Sequence, residues 1–216
     1  MARKDYDMQL KELRNQMLLL GTMVEEVIQG TIRALVKQDV EKAREIALGD
    51  DKINEQVRHI EQQCFTLLLR QQPIAKDLRA VSAALKMIGD MERIGDHGAD
   101  ISELTIVMSD ATYPEEIKLI EEMSKETTVM LIKAVDAFAE EDREKAEAVI
   151  LNDDRVDELF LEVKNSIAQS IKACNASAMQ ALDLLMVAKY FERIGDHATN
   201  IAEWVLFSIT GELPAN

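Results

Sequence analysis

The sequence predicts an all-α protein of six helices, arranged as two tandem, pseudo-symmetric three-helix bundles. Aromatic residues make up only 4% of the 216 residues, beside 8 glycines and 3 prolines, and an all-β chain needs more of these residues for its turns and strand pairs. Apolar side chains recur at three- and four-residue steps, which is the spacing of one face of a helix. An internal repeat then divides the chain into two similar parts.

The apolar spacing predicts the helices in chain order. Pro73 and Pro114 mark boundaries between them because proline is disfavoured inside a helix. Gly49, with Asp50 and Asp51 after it, indicates either a weak point within the second helix or the start of a helix. The predicted helices span approximately residues 7–37, 40–69, 74–107, 114–140, 144–173 and 176–210.

The repeat is clearest in the hexapeptide ERIGDH, which occupies residues 92–97 and recurs letter for letter at residues 192–197. Upstream of it, DDKINE at 50–55 resembles DDRVDE at 153–158. Because the similar segments fall in the same order, we predict two units, residues 1–111 and 112–216.

Each copy of the hexapeptide places carboxylates on the helix face opposite the apolar one, at about 100° per residue. Like charges four residues apart repel each other unless a cation neutralises them, and oxygen ligands suit hard or borderline metal ions. A merely solvated polar face is the alternative, above all on the two upstream helices. The candidate metal ligands are Glu92, Asp96, Asp100, Glu192, Asp196 and Asn200, with Asp51, Glu55, Asp154 and Glu158 on the upstream helices.

Four further residues flank these acidic stripes. His97 and His197 are candidate outer ligands or partners of neighbouring carboxylates, while Arg93 and Arg193 are expected to form ion pairs there. A glycine inside a helix costs about 1 kcal/mol relative to alanine. Gly95 and Gly195 therefore indicate the close approach of another helix or a ligand.

The charge balance excludes several functions. With 25 Lys and Arg against 40 Asp and Glu, the chain lacks the basic surface that nucleic-acid binding requires.

The charged N-terminus and the short apolar runs predict neither a signal peptide nor a membrane-spanning segment. We therefore expect a cytoplasmic protein that is at most peripheral to the membrane, through protein partners. Neither a nucleotide-binding glycine loop nor a convincing catalytic triad occurs, so we expect no enzyme activity.

The sequence resembles the PhoU family of phosphate-transport and phosphate-regulon accessory proteins. The match lies in LRNQ at 13–16, MVE at 23–25, QPIAKDLR at 72–79 and both ERIGDH copies. The resemblance implies two three-helix bundles whose E(D)xxxD motifs hold iron, zinc, manganese or magnesium through the candidate ligands above. It also implies a cytoplasmic adaptor that restrains phosphate uptake and links the ATPase subunit of the phosphate ABC transporter to a membrane sensor histidine kinase. We further expect a homodimer.

Two departures and two alternative functions accompany this interpretation. Asn200 stands where the first half has Asp100, so the halves are expected to differ in metal affinity or ion number, and the second half lacks the QPxxxDLR segment. One alternative is a carboxylate-bridged di-metal, ferritin-like oxidase or metal store, although such bundles use Glu-x-x-His on inward faces and this chain has none. The other is a metal-free helical scaffold.

Overall fold

Every regular element in the described part of the chain is an α-helix, so the predicted all-α class is confirmed. The computed structural model describes residues 2–49, 51–70, 74–108, 116–172 and 178–213. None of the helices in these ranges is long and apolar enough to cross a membrane. The helices are α1 (Ala2–Lys37), α2 (Val40–Ala47), α3 (Asp51–Arg70), α4 (Ala75–Val107), α5 (Ile117–Glu140), α6 (Arg143–Lys172) and α7 (Ala178–Thr210).

All six predicted helical stretches are present, but the second, predicted at 40–69, is divided into α2 and α3. The break falls at Gly49, whose N–H donates to the carbonyl of Ile46 at 3.0 Å, a tight turn that ends α2. In the second half Asn152 lies at the matching place and α6 continues through it. The prediction of one continuous helix is therefore wrong at the residue that indicated a weak point. The predicted unit boundary at 111/112, Pro73 and Pro114 lie outside the described residues.

The two repeats meet through two pairs of equivalent helices. In the described part of the chain, α4 packs against α7 and α1 against α5. Within the first half α2 and α3 pack against α1 and α4, and within the second half α6 packs against α5 and α7. Buried apolar side chains from both halves form one continuous core. Contacts of Asp90 with His197 and of Tyr190 with His97 show that α4 and α7 run antiparallel along the seam between the halves.

The repeat is visible in the backbone as well as in the sequence. α1 and α5 are each followed by a residue in the left-handed region, Gln38 with φ 54° and Glu141 with φ 57°. The next residue in each half is an aspartate that caps the following helix. The Asp39 carboxylate accepts from the Lys42 N–H at 3.0 Å, and the Asp142 carboxylate accepts from the Lys145 N–H at 3.1 Å. These matching junctions align the two halves residue by residue.

Candidate metal centre

Four carboxylates face one another where α6 packs against α7 in the second half: Asp153 and Asp157 on α6, and Glu192 and Asp196 on α7. Burial raises the pKa of Asp196, and the negative charges of Glu192, Asp153 and Asp157 raise it further, against the opposing effect of Lys189. Burial also raises the pKa of Asp153, followed by the charge of Asp157. The two helices therefore concentrate negative charge in one place, which we call the second-half acidic cluster.

Gly195 allows this approach of α6 to α7. A Cβ atom at this position would lie 3.3 Å from Cγ1 of Val156 and 3.5 Å from Oδ1 of Asp153. The Val156 contact is tighter than most side chains accept. The expected close approach of another helix at Gly195 is thus confirmed, and the neighbouring helix is the one that carries the facing aspartates.

The structure places the predicted α6 ligands on the exposed side of the helix. Asp154 and Glu158 are exposed, and Arg155 Nη1 lies 3.3 Å from Glu158. One position earlier, Asp153 is half-buried and Asp157 is exposed, and the negative charges of both raise the pKa of Asp196 on α7. The sequence pattern did not single them out as ligands, although their own four-residue spacing repeats that of Glu192 and Asp196.

The first half neutralises its acidic stripe with its own side chains. Arg93 Nη1 donates to Asp96 Oδ2 at 3.0 Å, which confirms the expected ion pair. Asp100 Oδ2 lies 3.4 Å from Nδ1 of the buried His97. The predicted ligands Asp96 and Asp100 are therefore each partnered by a neighbour on their own helix.

Glu92 faces a different neighbourhood from that of Glu192. It lines a cavity of about 390 Å³ between α3 and α4, together with Asn54, Arg58 and Glu61. Asn54 stands where the second half has Asp157, so an amide replaces a carboxylate on the facing helix. The counterpart of Asp153 is residue 50, which lies outside the described residues, and the predicted ligands Asp51 and Glu55 are exposed.

Both ERIGDH histidines point into the seam between α4 and α7. His197 Nδ1 lies 2.8 Å from Oδ1 of Asp90, and Asn200 Nδ2 donates to the same oxygen at 3.3 Å. The His97 ring lies 5.5 Å from the His197 ring and 5.4 Å from the Tyr190 ring, measured between centroids. Asn200 therefore contacts the first half through Asp90. Asp90 and Tyr190 also lie in the seam, and the spacing of residues along one helix does not predict this.

The charge on His97 follows from the same packing. Burial lowers its pKa, although the hydrogen bond with Asp100 acts in the opposite direction. The lowered pKa favours the neutral imidazole at pH 7. At pH 7 the neutral His97 ring can therefore lie against the His197 ring without repulsion between two positive charges.

The donor atoms of the second-half acidic cluster fit a hard or borderline cation, since all four side chains offer carboxylate oxygens. As the side chains stand, no group of three or more His, Cys, Asp or Glu among the described residues is arranged to hold a metal ion. Lys189 pairs with Glu192 and offsets part of the charge.

Comparisons with known proteins match both halves of the chain. The model of the PhoU domain family matches residues 17–105 and 120–205. The phosphate-specific transport system accessory protein PhoU homolog of Clostridium acetobutylicum is 34% identical over 213 residues, which cover 98% of this chain and 97% of that protein. The chain belongs to the PhoU family. The resemblance carried by the two ERIGDH copies is therefore confirmed.

Solved PhoU structures share the fold over nearly the whole chain. The crystal structure of PhoU from Pseudomonas aeruginosa superimposes with a TM-score of 0.89 at 29% identity and covers 96% of this chain and 100% of that one. The phosphate transport system regulatory protein PhoU from Streptococcus pneumoniae gives a TM-score of 0.90 at 29% identity, covering 98% and 100%. The chain thus has the fold of these PhoU structures.

Proposed function

We propose that this PhoU protein is a non-enzymatic, metal-binding regulatory adaptor of a phosphate transport system. The transport role is supported by its relatives, which are named accessory or regulatory proteins of phosphate transport. The observation that carries the metal-binding part is the second-half acidic cluster, in which burial and the neighbouring charges of Asp157 and Glu192 raise the pKa of Asp153 and of Asp196 across two helices. A cation is the simplest way to remove that cost.

Asp153, Asp157, Glu192 and Asp196 would hold the ion, with iron, zinc, manganese and magnesium as the candidate metals. The bound metal supplies positive charge that neutralises the cluster and fixes α6 against α7. In the first half, Glu92, Asp96 and Asp100 would form a weaker site, because Arg93 and His97 already partner two of these acids and Asn54 replaces the facing carboxylate. The surface charge of the adaptor would then depend on metal occupancy.

The proposed partners are the ATPase subunit of a phosphate ABC transporter and a membrane sensor histidine kinase, met from the cytoplasm by a dimer of this chain. The surplus of 40 acidic over 25 basic residues suits a basic partner surface. On α7, Met179, Leu182 and Met186 are exposed at helical spacing and add apolar contact area. Acidic and apolar surfaces together suit protein docking better than catalysis.

Elemental analysis of protein purified without a chelator tests the metal-binding part. We expect iron, zinc or manganese in the wild-type protein and a marked loss in Asp153→Asn with Asp157→Asn. The matched control is Asp154→Asn with Glu158→Gln, which makes similar changes one residue further along α6. Equal metal content in both double variants would contradict the assignment, and no metal in any preparation after reloading would favour the metal-free scaffold.

Co-purification tests the adaptor part separately. The wild-type protein is expected to retain the transporter ATPase subunit at low salt and to release it as salt rises, because exposed charges are screened over about 10 Å at 0.1 M ionic strength. Binding that is insensitive to salt would instead favour the Met-lined surface of α7. No association with the ATPase subunit at any salt concentration would contradict the adaptor role.

A further inference from the structure

The first half also contains a pocket that is separate from the proposed metal centre and is lined in part by the first ERIGDH copy. It has a volume of about 620 Å³ and lies between α1, α2, the start of α3 and α4. Its floor includes Gly95 of the hexapeptide and Ala99 one turn later. The volume falls in the range of about 300–1,000 Å³ that is typical of small-molecule sites.

The pocket exists because small residues and a helix break remove atoms from its walls. Three of the 8 glycines of the chain, Gly30, Gly49 and Gly95, line it. Gly49 lies at the break between α2 and α3, where the second half has the continuous α6. The matching junctions at Gln38 and Glu141 make Lys133 of the second half equivalent to Gly30, so the glycine is not repeated there.

The charge of the pocket is opposite to that of the chain. Its lining carries three bases, Arg33, Lys42 and Lys52, against two acids, Glu26 and Glu45, in a protein with 40 acids and 25 bases. Lys42 Nζ lies 2.9 Å from Oε2 of Glu45, which largely cancels that acid. Arg33 and Lys52 then face the single carboxylate of Glu26, and the local balance favours an anion.

The start of α3 reinforces this preference. Lys52 and Ile53 lie in the first turn of this 20-residue helix and both line the pocket. The backbone N–H groups of a first turn have no partner within the helix, and the helix dipole places partial positive charge there. The helix terminus therefore adds to the positive charge of Arg33 and Lys52, against the carboxylate of Asp51 in the same first turn.

One wall of the pocket is apolar and is formed by Met23, Val27, Ile46 and Ile53. A bare inorganic anion would leave this wall in contact with water, whereas an organic ligand covers it. We infer that the pocket binds a small organic phosphate, held at its phosphate group by Arg33 and Lys52 and at its carbon skeleton by the apolar wall. The site uses none of the carboxylates of the proposed metal centre and does not depend on it.

Calorimetric titration with three organic phosphates tests this inference: adenosine 5′-monophosphate, ribose 5-phosphate and glycerol 3-phosphate. Adenosine and inorganic phosphate serve as matched probes that each lack one part of the ligand. A chelator is present throughout, so failure of the metal centre does not affect the result. We expect saturable binding of at least one organic phosphate with a Kd below about 1 mM, weaker binding of inorganic phosphate and none of adenosine.

Three variants locate the binding. Arg33→Gln and Lys52→Gln are each expected to lower the affinity about tenfold or more, since each removes a charge-assisted hydrogen bond. Lys164→Gln, an exposed change on α6, is the control and is expected to leave the affinity unchanged. Unchanged melting temperatures would show that the fold is intact.

Gly30→Leu fills the pocket without altering its charges. A Cβ atom there would lie 3.0 Å from the flexible end of Ile46, so the added side chain occupies the space and blocks binding. The inference is overturned by any of three results: no organic phosphate binds at about 1 mM, adenosine binds as well as its monophosphate, or Arg33→Gln with Lys52→Gln keeps the wild-type affinity.

Discussion

The two halves carry the same hexapeptide yet differ in what surrounds its carboxylates. In the first half, Arg93 pairs with Asp96 and His97 with Asp100, so the helix that bears the motif supplies its own partners. In the second half, Asp196 faces the aspartates of α6, and its pKa is raised by burial and by their charge. An identical motif therefore acquires different chemistry from the helix packed against it.

The helix that flanks the motif also differs in continuity. α6 is unbroken and presents a row of aspartates to α7, whereas its counterpart is divided into α2 and α3 around Gly49. The break opens a pocket with more bases than acids. The second half thus presents carboxylates for the proposed cation, and the first half presents bases for the proposed anion.

The largest effect is expected from removing the α7 ligands. Glu192→Gln with Asp196→Asn should lower the metal affinity about 100-fold or more, because two of four charged oxygen donors become weaker amide oxygens. The equivalent change in the first half, Glu92→Gln with Asp96→Asn, should have a smaller effect. Metal titration of the chelator-treated protein measures both affinities, with circular dichroism as the check on helix content. Equal losses of metal affinity in the two double variants would contradict the inferred difference between the halves.

The seam gives the next effect. Asp90→Ala removes the carboxylate that contacts His197 and Asn200 in a largely buried place, at a cost of about 1–3 kcal/mol. For a chain of this size the melting temperature should fall by about 2–12 °C. The matched variant is Tyr190→Phe at the equivalent position of the other half, which keeps the ring contact with His97 and should change the melting temperature by less than about 1 °C. Similar shifts in both variants would show that Asp90 adds nothing specific to the seam.

Gln38 and Glu141, the residues with positive φ that follow α1 and α5, allow a comparison with a smaller expected effect on stability. Gln38→Gly should stabilise the protein by roughly 1 kcal/mol, because glycine adopts positive φ without the Cβ clash. Glu141→Gly relieves the same strain but loses a carboxylate bound by both Arg14 and Lys76, so its melting temperature should stay below that of Gln38→Gly. Thermal unfolding of both variants at pH 7 measures the difference.

The pKa of Glu141 adds a pH dependence to that pair. Burial acts to raise this pKa, but hydrogen bonds from Lys76 and Arg14 lower it overall. A lowered pKa contributes stability that is present above the unfolded-state value and is lost as pH falls through the folded-state value. The gap between the two glycine variants should therefore close in acid, and a gap that widens in acid would contradict this role of the ion pairs.

The smallest effect concerns the protein without metal. Because folding raises the pKa of Asp196, ionisation of this carboxyl costs stability at any pH above that raised value. With a chelator present, Asp196→Asn should raise the melting temperature by about 1–3 °C at pH 7.5, and the gain should vanish as the pH falls toward about 4. Asp96→Asn should give no such gain because Asp96 is paired with Arg93. A gain of equal size at both pH values would contradict the electrostatic explanation.

The fold was largely predictable because helical spacing and the ERIGDH repeat are properties of the chain itself. The exception is the helix from 40 to 69, where Gly49 was visible as a weak point but its effect depended on local packing. Asn152 leaves the equivalent place in α6 helical. The helix breaks at the glycine and continues through the equivalent asparagine, although the apolar spacing is helical in both cases.

The proposed site uses the same two helices as the sequence prediction, but on α6 it uses Asp153 and Asp157, each one position before the predicted Asp154 and Glu158. Asp153 and Asp154 differ by about 100° around the helix and both lie outside the buried stripe of Val156, so only the placement of α7 distinguishes them. The role of Asn200 was likewise set by a contact with Asp90 in the other half. Tertiary contacts between helices, which no single-helix pattern contains, determined both outcomes.

The central claim is that the facing helix, through Asp157 in one half and Asn54 in the other, makes the second half the stronger metal site. Reciprocal exchange tests it most directly: Asp157→Asn and Asn54→Asp, each titrated with manganese or zinc after chelator treatment. We predict that Asp157→Asn weakens binding in the second half and that Asn54→Asp strengthens it in the first, so the combined exchange shifts the preference between halves. Unchanged affinities in both single variants would contradict the claim and return the acidic faces of α6 and α7 to a role as solvated surface.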